Sequence, residues 1–144
     1  MKILVGLLFL AVSGSSVKDV VAEFHALRTE KTELAFIKKY NSNKEASVRV
    51  YVLAAKMKQA EYTMNPVKKI QIFKRYKNEL NALVKANPKN IHAHYMRLVI
   101  QEKTPSFIGY NDFLKEDKRI LRTYLKSEHA SAYLEKLIKK NTSL

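Results

Sequence analysis

The residues in this chain with chemistry to offer are four histidines and one oddly placed carboxylate. His92 and His94 lie two apart, so on a helix they point in different directions and cannot grip one metal ion. With His25 and His129 they are expected to be exposed or partly satisfied imidazoles. No HExxH, no glycine-rich phosphate loop and no nucleophile elbow occurs. Neither a metal nor a cofactor is therefore expected, nor a catalytic residue. Most acids have a base three or four residues away, as Glu45 has Arg49, Glu61 has Lys58 and Glu79 has Arg75, which predicts ordinary surface pairs. Asp117 is different. Phe113, Leu114, Ile120 and Leu121, its neighbours at helical spacing, are all apolar. A carboxylate turned toward a core needs a partner or an upward-shifted pKa. It is either a buried pair that locks the fifth predicted helix to the sixth, or a general acid or base in a cleft. Arg97 is the first-choice partner, with Tyr95 or amides of the Pro105–Tyr110 loop as alternatives.

The elements that must position these groups read as helices throughout. Three glycines and three prolines in 144 residues leave few breakers. Val17, Val20, Val21, Phe24 and Leu27 mark a first helical stripe. The "TEKT" segment interrupts it, and Leu34, Ile37 and Tyr40 mark a second. Ser42 and Glu45 form a capping box for a third helix running to about Thr63. Its polar positions, Glu45, Arg49, Lys56, Gln59 and Thr63, form one narrow stripe, so this helix is expected at the centre. Asn65 and Pro66 open a fourth, with Ile70, Phe73, Tyr76, Leu80, Leu83 and Val84 as its buried face and Lys68, Lys74, Arg75 and Lys85 opposite. Asn87 and Pro88 repeat the device for a fifth, ending near Lys103. Asn111 or Asp112 caps a sixth and Ser127 a seventh. Asparagines at the helix ends are expected to supply left-handed stops in place of glycine.

The connection Gln101–Asp112 is unlike the rest. Pro105 stops a helix and Gly109 supplies a positive φ. Phe107 and Ile108 then either tuck under the turn as a plug for the core or form an exposed aromatic patch. The junction "ANPKNIHAHY" and the small residues Ala54, Ala55 and Ala60 resemble those of tetratricopeptide-like helical repeats over residues 42–103. The resemblance implies a protein-binding scaffold of helical hairpins with no chemistry of its own. The expected fold is all-α: six to seven helices as antiparallel hairpins, tetratricopeptide-like or in an irregular bundle.

The segment "MKILVGLLFLAVSGSS" has one lysine, an apolar run from Ile3 to Val12, then small residues. That is the layout of a secretory signal, too short to span the ~30 Å of a bilayer. Residues 1–15 are expected to be removed, leaving a single domain over 16–144, periplasmic or secreted, with no transmembrane segment. A retained apolar first helix is the alternative. There are no cysteines, so disulfides and thiolate metal sites are excluded. The net charge of +14 suits acidic partners. The leading expectation is an exported, non-enzymatic module for a protein or peptide. The alternative is a basic binder of an anionic envelope component, a phosphate-bearing glycan or lipid headgroup, and the third is an enzyme with an unrecognised site. Nucleic acid is not an expected partner. Phe107, Tyr110, Arg97, Lys68 and Arg75 are the candidate binding residues.

Overall fold

Secondary structure in the computed structural model, which describes residues 15–144, is helical throughout. Seven α-helices among the described residues pack in a bundle. They are α1 (Val17–Ala26), α2 (Glu30–Tyr40), α3 (Ala46–Lys58) and α4 (Pro66–Ala86). Then come α5 (Ile91–Lys103), α6 (Leu114–Lys126) and α7 (Ala132–Asn141). Two 3-10 turns, Gln59–Tyr62 and Ser106–Ile108, follow α3 and α5. The expected export segment, residues 1–15, lies outside the described residues but for Ser15. No described helix is long and apolar enough to cross a membrane.

Local chemistry starts the helices. Ser16 and Asp19 close a capping box on α1. Thr29 and Thr32 close another on α2, so the "TEKT" segment begins a helix as well as ending one. Asn65 Oδ1 accepts from the amides of Val67 and Lys68, with Pro66 in the first helical position.

Several expected boundaries move. α3 starts after Glu45 with no side-chain cap, because Asn43 Oδ1 takes the Glu45 amide and displaces the Ser42 box. It tightens into a 3-10 turn at Gln59. Asn87 closes α4, its Nδ2 donating to Leu83 O, and Asn90 caps α5 by accepting from Ala93 N. The second Asn-Pro pair is therefore a stop, not a start. Ser127 likewise closes α6 through Tyr124 O, and Ser131 precedes α7. Among the described residues only Gly109 has a positive φ. The asparagines end and begin helices through their side-chain amides, not through left-handed backbone.

α3 is the central helix. Val48 and every residue from Val50 to Ala55 are buried, with Met57, and the helix packs against α1, α2, α4 and α5. α4 departs from its expected buried face. Leu80, Leu83 and Val84 are buried, but Phe73 and Tyr76 are only partly covered and Ile70 is exposed. At 21 residues it outruns the 13 of α3 and α5, so its first turns overhang the bundle.

Ala55 is fully buried, so Ala55→Glu places an unpaired charge among packed side chains and should prevent folding. Arg49, exposed on the same helix, is the control, and Arg49→Gln should shift the urea midpoint little. Gln59 cannot serve, because its Nε2 donates to Glu33 Oε2 at 3.1 Å and Gln59→Glu would set two carboxylates together. Circular dichroism and urea melts of the two variants test this. Equal effects would place α3 at the periphery.

Candidate functional site

Asp117 is fully buried on the first turns of α6, and four donors surround it. Arg97 Nε donates to Oδ2 and Nη2 to Oδ1, both at 2.8 Å. Gln101 Nε2 reaches Oδ2 at 2.8 Å and His94 Nδ1 meets Oδ1 at 2.7 Å. The other ring nitrogen of His94 lies 2.7 Å from Pro88 O. The ring thus bridges the α6 carboxylate, which also takes the Arg97 fork, and the carbonyl at the corner between α4 and α5. The Arg97 guanidinium also stacks on the Phe113 ring at 3.9 Å. His94, Arg97, Gln101 and Asp117 are all buried, and no buried side-chain nitrogen or oxygen among the described residues lacks a partner. The cluster is closed to any substrate. Asp117 acts as a lock between α5 and α6.

Gln101 extends the lock into the loop. Its Oε1 accepts from Phe113 N at 2.9 Å, which satisfies the start of α6 in place of Asn111 or Asp112. Thr104 ends α5, Pro105 follows, and Gly109 turns the chain at φ 71°. Beyond that turn Tyr110 is the residue that enters the core. Its hydroxyl donates to Asn81 Oδ1 at 2.6 Å and its ring meets Phe73 edge-on. Burial pushes its pKa up, keeping the hydroxyl a donor. The expected plug of Phe107 and Ile108 is thereby corrected: the left-handed turn at Gly109 sends Tyr110 inward and leaves Phe107 88% exposed.

A cleft of about 680 Å³ opens on the other side of α5. Ala54, Met57, Met96 and Val99 lie along α3 and α5, with Phe24 and Leu27 of α1 opposite. Phe73, Ile108 and Leu137 add to the apolar lining. Arg28, Lys58, Lys103 and Lys140 also line it, against one carboxylate, Glu61. Lys58 is bound to the buried Glu33 at 3.1 Å, while no carboxylate pairs with Arg28, Lys103 or Lys140 among the described residues.

His25 belongs to this cleft. Tyr95 OH receives Asn141 Nδ2 at 3.0 Å, so its single proton is available to His25 Nε2 at 3.1 Å. Burial, then repulsion from Lys103, Lys140, Lys58 and Arg28, lowers the His25 pKa to about 4. The four cations thus act on one point. His92, on the far side of Tyr51, is also lowered to about 4 by burial, its Nδ1 bonded to Tyr51 OH at 2.8 Å. His92 and His94 turn to different partners, as their spacing requires.

The sequence-predicted site residues do not converge. Arg97 and Tyr110 are buried, Phe107 stands in solvent, and Lys68 and Arg75 lie exposed on α4, where Arg75 approaches Glu79 at 3.8 Å. Glu45–Arg49 and Glu61–Lys58 are not ion pairs; Lys58 goes to Glu33, four residues into α2. Sequence reasoning missed His94, Gln101, His25 and Glu33. A signal existed for two of them: His94, Arg97 and Gln101 form a polar stripe at helical spacing among the apolar residues at the middle of α5. No family profile, no curated protein and no solved structure matches the chain.

Removing Asp117 strands Arg97 and His94 in the interior, so Asp117→Asn should cost about 3–5 kcal/mol of stability. Arg97→Met in that background should cost little more, because the pair is already broken. A double-mutant cycle by urea melting measures both, and additive costs would remove Arg97 from the lock.

The pH dependence follows from His25 and His92. Both sit at about 4 when folded and near 6.5 when unfolded, so below pH 6.5 the unfolded chain binds protons that the folded one refuses. Stability should be level above pH 7 and fall from 6.5 toward 5, where carboxylates, with pKa values of about 4, are still largely ionised. Urea midpoints across this window test the sign; a midpoint that rises with acid would contradict it.

Proposed function

We propose that the protein is an exported, non-enzymatic binding module whose ligand, an anion with an apolar body, occupies the cleft between α1, α3, α5 and α7. The observation that carries this reading is the lining of the cleft. Its apolar walls offer burial to a hydrocarbon or aromatic body. Arg28, Lys103 and Lys140, without carboxylate partners among the described residues, offer counter-charges for one negative end. The volume of about 680 Å³ is in the range of sites for compact ligands, roughly 300–1,000 Å³. Of the two leading expectations, this favours the anionic envelope component over a folded protein partner. The tetratricopeptide-like reading supplies the frame, with α3 to α5 as the hairpin scaffold beside which the cleft lies. Export, to the periplasm or beyond, rests on the apolar run Ile3–Val12 and the small residues after it.

The reading gives the cleft a binding role and assigns no acid–base chemistry to it. His25 is neutral and bonded to Tyr95, and Asp117 is sealed away on the opposite side of α5.

Binding of 1-anilinonaphthalene-8-sulfonate, an anionic aromatic amphiphile, tests the reading by fluorescence titration. One molecule should bind per chain, more weakly as salt rises. Lys103→Glu with Lys140→Glu should weaken it by at least about tenfold, equivalent to about 1.4 kcal/mol. Displacement by a neutral amphiphile as readily as by dodecanoate would remove the anionic part of the proposal. Absence of binding would remove the cleft from function.

A further inference from the structure

Two apolar lips flank the mouth of the cleft. One runs from the 3-10 turn Gln59–Tyr62 into the overhanging start of α4. There Met64 is 95% exposed, Val67 62% and Ile70 51%. The other is the turn Ser106–Ile108, which carries Phe107 and the part-exposed Ile108. Ala60, Phe73 and Ile108 line the cleft itself, so both lips border the same opening.

Neither lip is exposed for want of a defined structure. Phe107 is held outward by Pro105 before it and by Gly109 and the anchored Tyr110 after it. Val67 and Ile70, three apart, share one face of a helix capped by Asn65. Lys74 is one turn beyond Ile70 on that face, and Lys68 and Lys69 lie beside it. None of the three pairs with a carboxylate among the described residues; Glu79, the acid on this helix, pairs with Arg75. An apolar tip flanked by unpaired lysines, as at the start of α4, is the composition of a surface that lies in a membrane interface.

We infer that the two lips dock on an anionic phospholipid bilayer, with the apolar tips entering the headgroup–acyl boundary and the lysines resting on lipid phosphates. The inference rests on the cleft reading above, because the mouth then opens into the layer that supplies an anionic amphiphile. A bilayer is favoured over a protein face by shape and by charge. Two separate projections with an open cleft between them present no continuous surface for a rigid partner, whereas the acyl boundary admits separate wedges. The net charge of +14 adds attraction, each lysine near an anionic surface strengthening binding about fivefold.

The test is co-sedimentation of the full chain with vesicles of phosphatidylcholine alone and of phosphatidylcholine mixed with phosphatidylglycerol. The apolar N-terminal run is common to wild type and variants, so the comparison reads the lips. Phe107→Ser with Val67→Ser should weaken binding to the mixed vesicles by at least about tenfold. Met64→Gln, at a position almost wholly in water, is a second probe that leaves the fold untouched and should weaken binding in the same direction. Lys68→Glu with Lys74→Glu should abolish the preference for the mixed vesicles. All of these variants should bind 1-anilinonaphthalene-8-sulfonate like wild type, which keeps the two proposals separable. Lip variants that bind mixed vesicles as tightly as wild type overturn the docking, and the cleft reading survives if the fluorophore still binds. Self-association that Phe107→Ser abolishes, without an effect on vesicles, assigns the lips to a second copy of the chain and overturns it too.

Discussion

A fully buried carboxylate fixes the relation of α5 to α6, and much of the molecule's geometry follows from it. Asp117 must find donors inside the protein, and Arg97, Gln101 and His94 supply them from one face of α5. Each then carries the constraint further. His94 reaches Pro88 and pins the corner between α4 and α5. Gln101 satisfies the first amide of α6 and so sets where the loop must end. With both ends fixed, Gly109 turns Tyr110 onto Asn81 of α4. The outward position of Phe107 is a remote consequence of one buried charge. Breaking a lock of this kind costs much more than forming it contributes, because the surviving partners remain desolvated.

The two sides of α5 contrast electrically. Toward α6, charges are paired and hydrogen-bonded until none is left over. Toward α1 and α7, positive charges gather with little to balance them, and they add to the burial that lowers the His25 pKa. Like charges held near one another in a partly apolar cleft are a standing cost to the folded state. The anion proposed for the cleft would relieve that cost.

Helix length decides what stays uncovered. α3 is surrounded along its length and can be apolar on most of its circumference. α4 is eight residues longer than its neighbours. A helix can bury only what its neighbours reach. Its first turns therefore keep an apolar face that no described residue covers, next to a cleft whose other rim carries an exposed phenylalanine.

The sequence by itself determined the helical class, the order of the helices, the central place of α3 and the inward turn of Asp117. These depend on periodicity, breaker content and the company a residue keeps within one or two turns, all of which are local. It misplaced the starts of α3, α5, α6 and α7, where rival cap residues stand close together and only the backbone path selects between them. Ser42 lost to Asn43, and Asn111 lost to Gln101, a residue on a different helix. The stripe of His94, Arg97 and Gln101 was legible in principle, as polar residues on a buried helix at one repeat. The cleft was not legible. Phe24, Met57, Phe73, Met96 and Leu137 come from five helices, and each alone reads as an ordinary core residue. Whether such side chains meet or leave a gap is settled by how helices of unequal length cross. Only the tertiary structure decides that, because periodicity tells which face of a helix avoids water and is silent on what that face will touch.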